Sequence, residues 1–279
     1  MNPPNRHAPL LQVRHLQKFF GGNRAVDGVS FTLARGEMLA LIGPNGAGKS
    51  TTFNLLNGQL QPDAGEVSLH GEVITGLSPS ALAQRGVGRT FQTAQTFASF
   101  SVLENVQIAW LAADGLTTRM GWSARTHRVP EAMHVLDQVG LSALAHRPCT
   151  ALSYADLKRL DIALALATVT RSAQAPLLLM DEPTAGMAAA DRIALMTLVR
   201  RLVREQQLAV LLTEHSMDVV FGFADRVLVM VRGRVLAEGT PDDVRRNPEV
   251  QAHYLGHGLP VRRPPTVGDF LRVPPQEGA

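Results

Sequence analysis

Cysteine is almost missing from this 279-residue chain, with Cys149 standing alone. A single thiol excludes an intramolecular disulfide framework and any metal site built on several cysteines, and it suits a reducing compartment. Lysine is nearly as scarce: only Lys18, Lys49 and Lys158 occur, so arginine carries most of the basic charge. The 27 basic and 24 acidic side chains leave a formal charge of +3, too slight an excess to argue for a nucleic-acid partner. No apolar run approaches the roughly 20 residues needed to span a bilayer. The opening MNPPNRHAPL lacks the apolar core of a signal peptide. What the chain does have is 45% hydrophobic residues, ample for a core, which excludes disorder for its body. The expectation is a soluble cytoplasmic protein of one large domain or two small ones.

Residues 11–16 and 29–33 read as short, partly alternating strands. Met38–Ile42 is a continuous apolar run stopped by Gly43, the pattern of a strand buried on both faces. A helix is expected over Ser50–Leu56, and 65–74 alternates again around a turn at Gly71. From about 93 to 155 strand signals weaken, with helical stretches at 102–111 and 130–139, which reads as a helical insertion. Leu177–Met180 is a second buried strand, ended by Asp181. Ile193, Met196, Val199, Leu202 and Val203 share one stripe of a helix over 191–206. Strands at 208–213 and 226–231 follow, and strands alternating with helices argue for a largely parallel sheet. The segment 257–279 holds five prolines and little apolar periodicity, and reads as a disordered tail.

The strongest chemical signal is GPNGAGKS at 43–50, placed between an expected strand and an expected helix. It fits G-x-x-x-x-G-K-[ST], in which backbone N–H groups at a helix N-terminus converge on phosphate oxygens. Gly43, Asn45, Gly46, Ala47, Gly48, Lys49, Ser50 and Thr51 form that cradle. Gly46 and Gly48 allow close approach without a Cβ, Lys49 reaches the β- and γ-phosphates, and Ser50 ligates Mg²⁺. The second signal is LLLMDE at 177–182. A buried strand ending in Asp181 suits the acid that holds Mg²⁺ through its water shell, and Glu182 is placed to polarise an attacking water. An apolar run ending in two acids is common by itself; the phosphate loop upstream gives it this meaning.

With these two motifs in place, residues 8–256 resemble the ATP-binding cassette ATPases, the motor subunits of ABC transporters. The resemblance implies an α/β fold: a P-loop core with a mostly parallel sheet, an N-terminal antiparallel β-subdomain and an inserted helical subdomain near 93–155. It implies ATP and Mg²⁺ as ligands, and further roles by position. Gln92 in GRTFQ matches the glutamine that contacts metal and water and couples to the membrane subunits. LSYAD at 152–156 stands where the signature LSGGQ belongs, 28 residues from Ser153 to Asp181, so Ser153 would meet nucleotide. His215 matches the switch histidine at the γ-phosphate, PTAGMA at 183–188 the loop by which one subunit touches another. Phe20 fits the aromatic stacked on adenine, with Phe19 as the alternative. The phrases at 86–106 and 238–256 are similar to the ATPases of branched-chain amino acid importers, with lipopolysaccharide-export ATPases as close relatives. The implied partners are integral membrane permeases, a second ABC ATPase and, indirectly, a solute-binding protein, at the cytoplasmic face of the plasma membrane.

Several positions depart from the pattern. Ala155 stands at the signature's fourth position, usually glycine, and Asp156 at its fifth. Leu157 and Leu164 stand where a glutamine and an arginine are usual in this branch, Ala188 where Asp or Asn is common, and Ser216 where Asp is frequent. Ala155 is expected to force a less comfortable backbone and weaken one composite site, favouring a heterodimer with unequal sites. A weakly hydrolysing regulatory subunit is a second reading. ABC ATPases acting on DNA or ribosomes are a third, against which stands the absence of a coiled-coil insertion or second cassette.

Overall fold

The computed structural model describes residues 9–90, 96–113, 128–169 and 176–255. An antiparallel sheet comes first, in the order β2-β1-β4-β5, built from β1 (Leu11–Phe20), β2 (Asn23–Leu33), β4 (Ala64–Leu69) and β5 (Glu72–Val73). The six-stranded sheet has the order β10-β9-β3-β8-β7-β6. Its strands are β3 (Met38–Ile42), β6 (Val87–Thr90), β7 (Leu177–Asp181), β8 (Ala209–Thr213), β9 (Arg226–Val231) and β10 (Arg234–Gly239). All its pairings are parallel except β9 with β10. The molecule is therefore α/β with a mostly parallel core and an antiparallel sheet formed largely by its N-terminal strands.

Every residue of β3, β7 and β8 is buried. Alternation explains why. Met38, Ala40 and Ile42 point into one apolar cluster, Leu39 and Leu41 into another. The second cluster joins the antiparallel sheet and α1 (Lys49–Leu56), through Phe31, Phe53 and Leu56. The first is closed by α3 (Val102–Ala113), α4 (Val129–Gln138), α5 (Tyr154–Val169), α6 (Ala189–Gln206) and α7 (Met217–Phe223). Short helices α2 (Pro79–Gln84), α8 (Pro241–Arg246) and α9 (Pro248–Val250) complete the described chain. Among the described residues no helix is long and apolar enough to cross a membrane. The segment 257–279 lies outside the described residues.

The elements expected from periodicity are present with shifted ends. Strands β1 and β2 run well beyond 11–16 and 29–33, because a ten-residue antiparallel ladder with irregular register breaks the simple alternation. Several elements had no strong signal, among them β6, β10 and α5. Strand β6 is short and contains Gly88, where a Cβ would come within 2.8 Å of Val169 on α5. Strand β10 forms a hairpin with β9 through Arg232 and Gly233, both at positive φ, as a two-residue turn matching strand twist requires. Helix α5 has a reciprocal cap: the Asp156 amide donates to Ser153 Oγ at 3.1 Å and that hydroxyl donates to Asp156 Oδ2 at 2.7 Å.

A buried amide pins the loop before α3. Asn105 Oδ1 accepts the Phe97 N–H at 2.8 Å, and Nδ2 donates to the carbonyls of Phe97 at 3.1 Å and Ser101 at 2.9 Å. The same Nδ2 lies 3.2 Å from Cys149 Sγ, whose thiol burial pushes up in pKa. The cysteine is thus a core residue. Phe97 and Phe100 stack at 5.6 Å and stay exposed on the outside of this loop. Asn105→Ala should strand the Phe97 amide and cost about 1–3 kcal/mol of unfolding free energy, measurable by urea denaturation.

Candidate functional site

The carboxyl ends of β3, β7 and β8 lie side by side, with Leu41 and Asp181 both paired to Thr213. Loops leaving adjacent parallel strands converge there, and polar groups excluded from the strands collect in them. The loop after β3 is wedged between backbones. A Cβ on Gly43 would stand 2.1 Å from the Met230 carbonyl, and one on Gly48 2.2 Å from the Ala25 carbonyl of β2. Gly46, by contrast, has positive φ and nothing within 4 Å of its missing Cβ. Of the two glycines expected to admit a ligand, Gly46 faces open space, whereas Gly48 is demanded by the protein's own β2. Ala47 is buried and its carbonyl accepts the Gly233 amide at 3.0 Å, while Asn45, Gly46 and Ser50 are exposed and Thr51 half-buried. Burial raises the pKa of Tyr254, opposed by a hydrogen bond from the Gly43 amide, so the chain's last described turn also touches this loop.

Lys49 Nζ folds back to donate to the carbonyls of Gly43 at 2.7 Å and Pro44 at 3.1 Å. Burial lowers its pKa, while the charges of Glu182 and Asp181 act in the opposite direction. The ammonium therefore sits in a partly desolvated place facing two carboxylates, where anionic oxygens gain most from it. No side chain caps the start of α1, and an uncapped helix N-terminus suits an anion.

Asp181 Oδ1 accepts the Thr213 hydroxyl at 2.7 Å, and Oδ2 faces Arg89 Nη2 at 3.4 Å. Glu182 has a left-handed backbone (φ 48°), uncommon for a non-glycine residue. Its amide is held by the Thr213 carbonyl and hydroxyl, both at 3.1 Å. Glu182 Oε1 stands 2.9 Å from His215 Nε2. Lys49, Asp181, Glu182 and His215 are thus brought together. Ser50 and Asp181 supply hard oxygen donors, the type Mg²⁺ takes alongside phosphate and water. Gln92 lies outside the described residues.

Other expected positions fall elsewhere. Phe20 ends β1 with 48% of its surface exposed, and Lys18 Nζ lies 5.7 Å from its ring centre. The alternative, Phe19, already carries the Arg24 guanidinium at 5.7 Å. Ser153 caps α5 through Asp156, and no hydrogen bond among the described residues joins it to the Lys49 cluster. Ala155 is the second residue of α5 and is not among the positive-φ residues. The expected backbone strain is therefore absent: a helix start accommodates a Cβ, and the departure costs no unusual conformation. Ala188 occupies the N-cap of α6 with no side-chain hydrogen bond, so the missing Asp or Asn is a missing cap. Ser216 Oγ accepts from Arg192 Nη1 at 2.8 Å. Leu164 joins Phe97, Ile108, Ala109 and Ala112 around an apolar groove of about 200 Å³.

Arg89, Tyr154, Thr184, Thr213 and Glu214 were not marked by the sequence. Arg89, three residues before Gln92, also donates to Asn54 Oδ1 at 3.0 Å and Gln59 Oε1 at 2.7 Å. Tyr154 Oη donates to the Ala185 carbonyl at 2.9 Å, tying the start of α5 to the loop after β7. Their roles depend on partners far away in sequence, which no local pattern announces.

The family model of ABC transporters matches residues 26–185, and that of branched-chain amino acid ATP-binding cassette transporters matches 234–259. The chain is 38% identical to the high-affinity branched-chain amino acid transport ATP-binding protein BraF of Pseudomonas aeruginosa, covering 89% of this chain and 98% of that one. It is 37% identical to LivG of Escherichia coli, a protein of the same description, with the same coverage. Among solved structures, the ADP conformation of MJ1267, an ATP-binding cassette of an ABC transporter, superposes with TM-score 0.79 at 32% identity, over 89% of this chain and 99% of that one.

The unequal surroundings of Gly46 and Gly48 can be read in solution. Gly48→Ala should lower the melting temperature much more than Gly46→Ala, where the left-handed backbone alone costs about 1–2 kcal/mol. Calorimetry on the two variants decides it.

Proposed function

The chain belongs to the ATP-binding cassette family of ABC transporters, and from that membership we propose that it drives import of branched-chain amino acids or a related small solute. It is an ATP-binding, ATP-hydrolysing subunit that works with membrane permeases. The match over 234–259 and the BraF and LivG relatives favour this solute class over lipopolysaccharide export.

The observation that carries the catalytic reading is the meeting of Lys49, Asp181, Glu182 and His215 at the ends of three adjacent parallel strands. Catalysis of phosphoryl transfer to water is positioning plus electrostatics. Apart from the Ala47 amide, which donates to the Pro44 carbonyl at 3.1 Å, amides of residues 45–51 would hold phosphate oxygens, and Lys49 would exchange its two carbonyl partners for the β- and γ-phosphates. Mg²⁺, when bound, neutralises phosphate charge; Ser50, Asp181 and Gln92 are the residues proposed to hold it. Glu182 would orient the attacking water and accept its proton. His215, hydrogen-bonded to Glu182, would keep that carboxylate aimed and meet the γ-phosphate. Phe20 would stack on adenine.

The rest of the assembly follows from surfaces. The exposed Phe97–Phe100 pair and the groove beside Leu164 suit docking against a permease at the cytoplasmic face of the membrane. A second ABC ATPase is the proposed partner, its signature completing the site on Lys49, while Ser153 of this chain serves the partner's nucleotide. Preference for a heterodimer now rests on the Ala155 methyl alone, because its backbone is unstrained. The regulatory, weakly hydrolysing reading loses the same support.

Glu182→Gln in the complex with its permeases should retain ATP binding while turnover falls by about 10² or more. Nucleotide-bound dimers should accumulate, and wild-type turnover would defeat the assignment. Ala155→Gly should leave turnover within about twofold and cost α5 about 0.5–1 kcal/mol, since glycine loses more freedom in a helix. Thermal melts and steady-state ATPase assays on one preparation check both parts.

A further inference from the structure

Glu214 leaves β8 immediately before His215, and only 2% of its surface meets solvent. Its carboxylate accepts four hydrogen bonds. Oε1 takes the Thr184 amide at 3.0 Å and the Thr184 hydroxyl at 2.5 Å. Oε2 takes the His215 amide at 3.1 Å and, more weakly, the Ser216 amide at 3.4 Å. Thr184 belongs to the loop that continues β7 past Glu182, so one carboxylate bridges the two loops that carry Glu182 and His215.

A buried carboxylate is costly unless donors satisfy its oxygens, and a pair of apolar side chains would fill the same space as well or better. What apolar packing cannot do is hold backbone amides in place. Three of the four donors here are amides, and two of them belong to the residues at the base of the switch: His215 and Ser216. From that base the imidazole reaches back to Glu182 Oε1 at 2.9 Å. A displacement of the 183–188 loop would pass through Thr184 and Glu214 to the backbone of His215.

We propose that Glu214 is a positioning residue for hydrolysis: by clamping the Thr184 loop to the His215–Ser216 backbone, it sets His215 against Glu182 and makes that contact respond to movement of the 183–188 loop. The inference rests on the ATPase reading above for its kinetic consequence, but its geometry concerns this chain's own residues. Neither Glu214 nor Thr184 contacts the phosphate loop through any hydrogen bond seen among the described residues, so nucleotide affinity should be spared.

The test uses the complex of this chain with its permeases. Glu214→Gln keeps shape but turns an NH₂ group toward amide donors, so one loop loses its acceptor. Its kcat should fall about 10- to 100-fold, as for a catalytic group displaced by an ångström, with KM for ATP within about threefold. Thr184→Val should lower kcat about threefold, and Thr184→Ser should restore it. Adding Thr184→Val to Glu214→Gln should cause little further loss, because both act through one bridge. Should Glu214→Gln fail to fold, equal kcat in Thr184→Val and Thr184→Ser overturns the proposal. NMR of the full chain gives a readout independent of turnover. In Glu214→Gln or Thr184→Val the His215 ring resonances should move while those of His134 stay put. A folded Glu214→Gln with wild-type kcat, or with unmoved His215 resonances, overturns the clamp. A wild-type complex that hydrolyses no ATP, yet shows the His215 shift in the variants, would instead defeat the ATPase reading and leave the clamp standing.

Discussion

The central strands of the large sheet are buried on both faces, and this constraint organises the rest of the molecule. Helices α3 to α7 cover one side, and α1 with the antiparallel sheet covers the other. No position within β3 from Met38 to Ile42 has room for an unsatisfied polar group. Polar chemistry is pushed to the strand ends. Parallel pairing then sets those ends beside one another, so that residues 43, 182 and 214, far apart in the chain, begin neighbouring loops.

The phosphate loop shows how tightly the scaffold enters the site. Gly43 and Gly48 are walled in by carbonyls from β9 and β2, and the Ala47 carbonyl holds the β9–β10 turn at Gly233. The loop is thus shaped by two strands and a turn before any ligand arrives. Preorganisation of this kind would spare the cost of arranging amides around a phosphate group. Glu182 is held with similar firmness, its left-handed backbone fixed by two acceptors from Thr213.

Electrostatics at the site follow from burial and proximity. Lys49 is partly desolvated and faces two carboxylates, so the cluster is poised between opposing charges. The carboxylates differ in their partners. Asp181 has Thr213 and Arg89, whereas Glu182 has the imidazole of His215. Two adjacent acids thereby receive different environments, which suits one for a static role and the other for handling a proton.

The phosphate loop, the strand into Asp181 and Glu182, and the apolar runs of β3 and β7 were legible in the sequence because each is local and periodic. Their spacing alone implied an α/β nucleotide-binding core, and resemblance added Gln92, His215 and the signature. Strands β6 and β10 and helix α5 were not anticipated. Gly88 and the Arg232–Gly233 turn make sense only with α5 and β9 beside them, and the Ser153–Asp156 cap went unread behind the signature's other meaning. The strain expected at Ala155 was wrong for a related reason: the residue type suggested a glycine-like loop, but the chain had already entered a helix. Only the tertiary structure decided that Gly48 answers to β2, that Tyr154 meets Ala185, and that Glu214 bridges Thr184 to His215. A motif records which groups a ligand needs from neighbouring residues. The contacts that aim those groups come from residues 30 or more positions away, such as Thr213 on Asp181 and Glu214 on Thr184, and pairing of the sheet is what brings them together.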